Sequence, residues 1–300
     1  MSFEGRERLR LSFDQAIEKG VSSALDLIKE RFEHAASPEG NLEYHNAKHT
    51  ENVIRRTKEI LKAIAQADRT AALSERLMKM GELSAAWHDT VQEYEVESVA
   101  DSSFTKKMRK RFADKNERKS AEEAVEYMRT MNGAFSDEDE QVVRQAIEVT
   151  IPQFSPEIGT VVQPNLASES GIVARAVALA DMGAAGMDGP EQFSQEGNAI
   201  FREDNVDIAE ALQHAETLSE NEKDFFRVRM LGWSEIQERF AGGRKAHLDA
   251  ELKGLSEEEQ TAVKTLFVKF DESIEAARER TERRRAMSFE ELARDFGYAV

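Results

Sequence analysis

The chain has 300 residues, with 41 basic and 58 acidic side chains, a net charge of -17, a 40% hydrophobic share and no cysteine. This excludes disulfide frameworks and thiolate metal sites, and it argues against a nucleic-acid polymer as main partner, which demands a basic surface. No run approaches the roughly 18 to 20 continuous apolar residues of a membrane span. The charged start M-S-F-E-G-R-E-R-L-R lacks the apolar stretch of a signal peptide. The expectation is a cytoplasmic chain with no membrane partner.

Taken in order, the chain reads as helices. Phe13, Ile17, Leu25, Ile28 and Phe32 recur at helical spacing. Further helical patterns cover about 45–67, 72–89, 117–131, 137–150 and 168–186. No alternating β-branched run and no hairpin turn signal stands out, so the expected fold class is all-α. Pro152, Pro156 and Pro164 mark one long loop, I-P-Q-F-S-P-E-I-G-T-V-V-Q-P-N; such loops serve as lids or as plain surface excursions. Beyond Pro190 the pattern stays helical and becomes more charged. Phe225 to Arg244 carries Arg227, Arg229 and Arg244 around aromatic residues, expected as exposed arginines on a packed helix. Val263, Leu266, Phe267, Phe270 and Ile274 form a stripe that packs on the rest of the chain or on a second copy, the latter making a homo-oligomer. The R-E-R-T-E-R-R-R end of that stretch reads as a solvated helix terminus. Residues 1–190 are expected as one helical domain and 191–300 as a helical extension packing on it.

Six histidines are present: His34, His45, His49, His88, His214 and His247. A helix places His45 and His49, in Y-H-N-A-K-H-T-E-N-V, on one face. His88 and Asp89 end the apolar stretch S-A-A-W-H-D-T, and Asp181 stands in the apolar helix A-V-A-L-A-D-M-G. A carboxylate in such surroundings must be paired, hydrogen-bonded or metal-bound. Imidazole nitrogens with carboxylate oxygens are the usual mixed ligand set for divalent metals. The remaining histidines find no partner in the sequence, and His247 follows what reads as a Gly-Gly-Arg turn.

The ordered set Y-H-N-x-x-H-x-x-x-V, then H-D, then a distant aspartate in A-L-A-D resembles the HD-domain superfamily of metal-dependent phosphohydrolases over roughly residues 40 to 190. The resemblance implies an HD-type helical domain with His49, His88, Asp89 and Asp181 as metal ligands. The stretch N-E-R-K-S-A, residues 116 to 121, also resembles a segment of some members in which the glutamate faces the site, making Glu117 a water-positioning candidate; a helix N-terminal carboxylate is the alternative. The Y-H-N portion is similar to cyclic nucleotide phosphodiesterases, where the corresponding histidine, here His45, protonates the departing oxygen. Two-metal members use more histidines after the His-Asp pair. Here position 92 is Gln92, and a second ion would need Glu93 or Glu95, so one divalent ion is expected: manganese, iron, nickel, cobalt, zinc or magnesium.

The expected function is a metal-dependent phosphohydrolase in which a metal-activated water cleaves a phosphoester of a nucleotide or small phosphorylated metabolite. Lys48 and Arg175 are candidates for contacting a phosphate oxygen, with surface charge as the plainer role for each. A local ion would attract a small anionic substrate into a strongly negative protein. The alternative is a non-catalytic metal-bearing helical module for binding or regulation.

Overall fold

The computed structural model describes residues 11–35, 40–67, 74–101 and 104–299. Twelve α-helices dominate the described residues. The first, α1 (Phe13–Ile28), widens into a π turn over Lys29–Glu33. It is followed by α2 (Ala47–Ala67) and α3 (Glu75–Trp87); residues 72 and 73, at the expected start of α3, lie outside the described set. Serine starts several of these helices. Ser12, Ser136, Ser219, Ser256 and Ser288 each form a capping box with the residue three positions on, and Ser74 caps α3, each cap contributing about 1 kcal/mol.

The fold is mostly all-α, as expected, with two small two-stranded hairpins beside the helices. After α3 the chain forms an antiparallel hairpin, β1 (Tyr94–Asp101) with β2 (Phe104–Arg111), where helical reading found no strand. Its signal was charge rather than hydrophobicity. An acidic strand, Y-E-V-E-S-V-A-D, lies opposite a basic one, F-T-K-K-M-R-K-R, with Glu95 across from Lys110 and Lys110 Nζ 2.5 Å from Glu97. Such cross-strand pairs stabilise a ladder by a few tenths of a kcal/mol each.

Two helices follow, α4 (Lys115–Thr130) and α5 (Asp137–Glu148). The proline-marked loop contains a second short hairpin, β3 (Gln153–Ser155) with β4 (Thr160–Val162), and leads into α6 (Ile172–Asp181). After a π turn over Ala184–Asp188 come α7 (Pro190–Asp204), α8 (Val206–Leu212) and the long α9 (Glu220–Glu251). The chain closes with α10 (Glu257–Lys264), α11 (Phe270–Arg285) and α12 (Phe289–Phe296). No helix among the described residues is long and apolar enough to cross a membrane.

The main core joins both halves of the sequence. Val53, Ile60 and Leu61 of α2 and Val173 to Ala180 of α6 pack with Phe193, Ala241, Leu248, Val263, Phe267 and Phe270. The stripe from Val263 to Ile274 therefore faces this chain's own core, split between α10 and α11 by a turn. A second cluster joins α1, α3, α4 and α5, and a third joins α7, α8, α9 and α12. Each well-buried Leu, Ile or Phe in these clusters contributes about 1.5–3 kcal/mol.

Several arginines expected at the surface are interior cross-links. Arg284, in the R-R-R end of α11, is 2% exposed; it donates to Asp295 and to Ser234 and Asn198. Arg244 forms a buried bidentate pair with Glu251, and Arg229 a half-buried one with Asp207. His247 lies inside α9, which runs uninterrupted through Gly242 and Gly243 rather than turning there.

Candidate metal centre

The site begins with the Y-H-N segment, which lies just ahead of α2 rather than within it. Asn46 accepts from the His49 backbone N–H at 3.0 Å and so caps the helix. The Tyr44 ring packs on the His49 imidazole with centroids 4.3 Å apart. His45 is drawn the other way. Glu203, near the end of α7, accepts from the backbone N–H groups of Tyr44 and His45 at 2.8 and 3.1 Å, and its Oε1 lies 2.5 Å from His45 Nδ1. One carboxylate thus fixes both the backbone entering α2 and the orientation of the His45 ring.

His88 and Asp89 lie just beyond the C-terminus of α3, held in place by the following turn. Arg31 donates to the Thr90 carbonyl at 2.6 Å. Ser120 accepts from Val91 N–H, and Asn116 forms a reciprocal pair of bonds with the Glu93 backbone. This explains the N-E-R-K-S-A stretch. Asn116 and Ser120, four apart on one face of α4, clamp the segment after the His-Asp pair, and Glu117 lies between them. Gln92 supplies a further restraint, donating to Asp89 Oδ1 at 2.9 Å. Asp181, the last residue of α6, is held likewise by Gln163 at 3.2 Å, from the proline-marked loop. That loop is itself pinned to α9 through Thr160 and Arg244.

These restraints bring His49, His88, Asp89 and Asp181 together. His49, His88 and Asp89 are 3%, 1% and 7% exposed, and each presents a donor atom within 4.8 Å of the other two. Asp89 Oδ2 lies 3.0 Å from His88 Nε2 and 3.4 Å from His49 Nε2; Asp181 Oδ1 lies 3.7 and 3.5 Å from the same nitrogens. None of these contacts satisfies hydrogen-bond geometry, and both Nε2 atoms are buried without a hydrogen-bond partner among the described residues. The atoms converge on a common point rather than on one another. Ligand bonds of about 2.1 Å would separate neighbouring donors by roughly 3.0 to 3.4 Å in octahedral or tetrahedral arrangements, close to the distances found. His88 Nδ1 lies 2.8 Å from the Ala85 carbonyl, which places its proton there and leaves the Nε2 lone pair free. The buried His49–His88–Asp89 group fits a divalent cation.

The electrostatics agree. Burial pulls the His49 imidazole down, but the carboxylates of Asp181 and Asp89 outweigh it and raise it to about 9. His88 is likewise raised against its burial, chiefly by the Asp89 charge. Asp89 and Asp181 are held below the usual carboxylate range despite burial, by the neighbouring imidazoles. Positive charge is what this pocket stabilises.

Around the cluster lie further residues, of which Glu117 alone was a sequence candidate for a role in the chemistry. Arg111, at the end of β2, points its guanidinium at His45 Nε2. Asp204 sits beyond it, raised to about 6 by burial against the lowering effect of Arg111. Glu117 is buried with Oε2 lacking a partner among the described residues, and burial together with the Asp89 charge raises its pKa. Tyr44 is raised well above the ordinary phenol value by burial and by the charges of Glu196, Asp181 and Asp89.

Of the two expected phosphate contacts, Arg175 falls outside this geometry. Arg175 is 1% exposed and spends its guanidinium on the carbonyls of Glu251, Ala167 and Ser168, tying α6 to the end of α9; it is a structural residue. Lys48 is exposed, with no ion pair among the described residues. Glu93 pairs with Lys115 and Lys119, and Glu95 lies 3.9 Å from Lys110. Comparison of the chain with protein-family models, curated proteins and solved structures returned no match.

Proposed function

We propose that this chain is an HD-like, metal-dependent phosphohydrolase acting on a small phosphoester. The observation that carries the reading is the convergence of four donor groups from three helical ends, His49, His88, Asp89 and Asp181, on one point beside a half-buried guanidinium and a carboxylate-anchored histidine. A divalent ion bound there supplies a Lewis acid for a phosphoryl oxygen and a water acidified toward about pKa 7.

The chain's own residues divide the remaining work. Gln92 and Gln163 hold the two carboxylates through their outer oxygens, leaving the inner ones turned to the cluster. Glu117, buried and raised in pKa, is suited to hold or orient a water beside Asp89. His45 carries its proton on Nδ1 toward Glu203 and presents Nε2 as an acceptor. It can hand a proton to a leaving oxygen only after Nε2 is released from Arg111 and protonated, with Glu203 stabilising the resulting cation.

The test combines elemental analysis with a phosphomonoester and phosphodiester panel, with and without chelator. His88→Ala and Asp181→Ala are expected to lose bound metal and turnover together. His45→Ala is expected to keep the metal and lose about 10²- to 10⁴-fold in rate, the usual worth of a positioned general acid. Full metal occupancy in purified His88→Ala would overturn the ligand assignment. Metal without turnover across the whole panel would leave a binding module.

A further inference from the structure

The buried arginines of this protein find carboxylate or carbonyl partners, and the half-buried Arg111 finds neither among the described residues. Arg56 is satisfied by Asp188 and Glu196, Arg175 by backbone carbonyls, Arg244 by Glu251 and Arg284 by Asp295. Arg111 has no carboxylate within ion-pair distance among the described residues, and its hydrogen-bond partner there is the neutral nitrogen of His45. A guanidinium carries five N–H donors in a fixed fork; beyond the one turned to His45, they meet no acceptor among the described residues. Glu203, Asp204 and Asp89 surround it at longer range, where they keep it charged without engaging it. A cation partly withdrawn from water and left without an anion is a ready partner for one that arrives.

Its placement says where that anion goes. Arg111 is paired with Tyr94 at the base of the hairpin, next to the Phe112 N–H to Glu93 carbonyl bond, and so is tied to the clamp that holds the His-Asp turn. The Asp89 carboxylate is among the charges that act on it, and Arg111 in turn acts on Glu117. The guanidinium thus touches His45, whose ring centroid lies 6.3 Å from that of His49 in the donor cluster.

We propose that Arg111 is the phosphate-recognition residue of this site: a phosphoryl group bound at the metal cluster takes the guanidinium in a forked contact and draws it off His45 Nε2. The phosphoryl identity of the anion is taken from the phosphohydrolase reading. The fork matches a tetrahedral oxyanion with two parallel N–H···O bonds, a geometry a lysine cannot reproduce. The same displacement frees His45 Nε2 when substrate is present. Arg111 takes the part that sequence reading had offered to Arg175.

The test is calorimetric titration of manganese-loaded protein with inorganic phosphate, alongside metal analysis. The unaltered chain is expected to bind phosphate. Arg111→Gln is expected to keep its metal and bind phosphate roughly ten- to a hundredfold more weakly, the usual worth of a charge-assisted hydrogen bond, with Arg111→Lys in between. Phosphate affinity unchanged in a metal-loaded Arg111→Gln overturns the proposal, as does an unaltered chain that binds no phosphate. Should Arg111→Gln fail to fold, the ¹⁵N resonance of His45 Nε2 in the unaltered protein decides. It shifts on phosphate addition if the guanidinium leaves, and stays in place if the proposal is wrong. Arg111-dependent phosphate binding in a protein inert toward every phosphoester would keep this inference and remove the phosphohydrolase reading; turnover with Arg111-independent phosphate binding would do the reverse.

Discussion

Asp204 carries the sharpest electrostatic cost in the site. Burial raises its carboxyl to about 6, and the Glu203 charge adds to that, while Arg111 only partly offsets it. A carboxyl raised above its unfolded value favours the fold while protonated. That contribution is fully present below the unfolded value near pH 4 and is lost as pH rises through about 6. Asp204→Asn copies the protonated form. In urea titrations of metal-free protein it is expected to be more stable than the parent by about 1–3 kcal/mol at pH 7.5, and the gain is expected to vanish by pH 4. A gain that persists at pH 4 would assign the effect to packing. At this scale the candidate donors were legible because each stood against its surroundings: Asp181 in an alanine-rich helix, His88 and Asp89 after a buried tryptophan. Glu203 and Asp204 offered a similar clue. They end a helix, where the dipole disfavours negative charge, and among 58 acidic residues that anomaly is easily passed over.

At the scale of elements, helices were readable because serine caps and apolar spacing are local. Hairpins were not. The β1–β2 pair announces itself only when the acidic strand is laid against the basic one, and its functional residue, Arg111, depends on a register that no local pattern fixes. Helix α9 shows how tertiary contact decides the meaning of a residue. It contains Gly232, Gly242 and Gly243, each unfavourable in a helix interior by about 1 kcal/mol relative to alanine. A Cβ at Gly232 or Gly242 would meet nothing within 4 Å, whereas at Gly243 it would come within 2.7 Å of Thr160 Cβ and 2.8 Å of the Ile158 carbonyl. Thermal melts are therefore expected to show Gly232→Ala and Gly242→Ala stabilising by about 0.5–1 kcal/mol each, and Gly243→Ala destabilising by about 1–3 kcal/mol. Equal effects at all three would mean that the β3–β4 hairpin yields freely.

Over the whole molecule, the donor cluster comes from the first 181 residues, but the groups that orient its neighbours come from later in the chain. Asp207 accepts from the Lys107 backbone N–H, and the Glu203 carbonyl accepts from Arg109, so α7 and α8 position the hairpin that carries Arg111. Sequence reading caught the cluster because its members share short motifs. It missed the outer shell because Glu203 reaches Tyr44 across 159 positions, a pairing set by the common core rather than by any pattern. The way Glu203 is bonded gives that core a reporter. Tyr44 and His45 surrender their amide hydrogens to this one carboxylate, so their deuterium uptake is gated by the undocking of α7 and not by fraying of the neighbouring α2. In exchange measurements the two amides are expected to label in step with those of α7; labelling in step with the first turn of α2 would show the two halves to breathe apart.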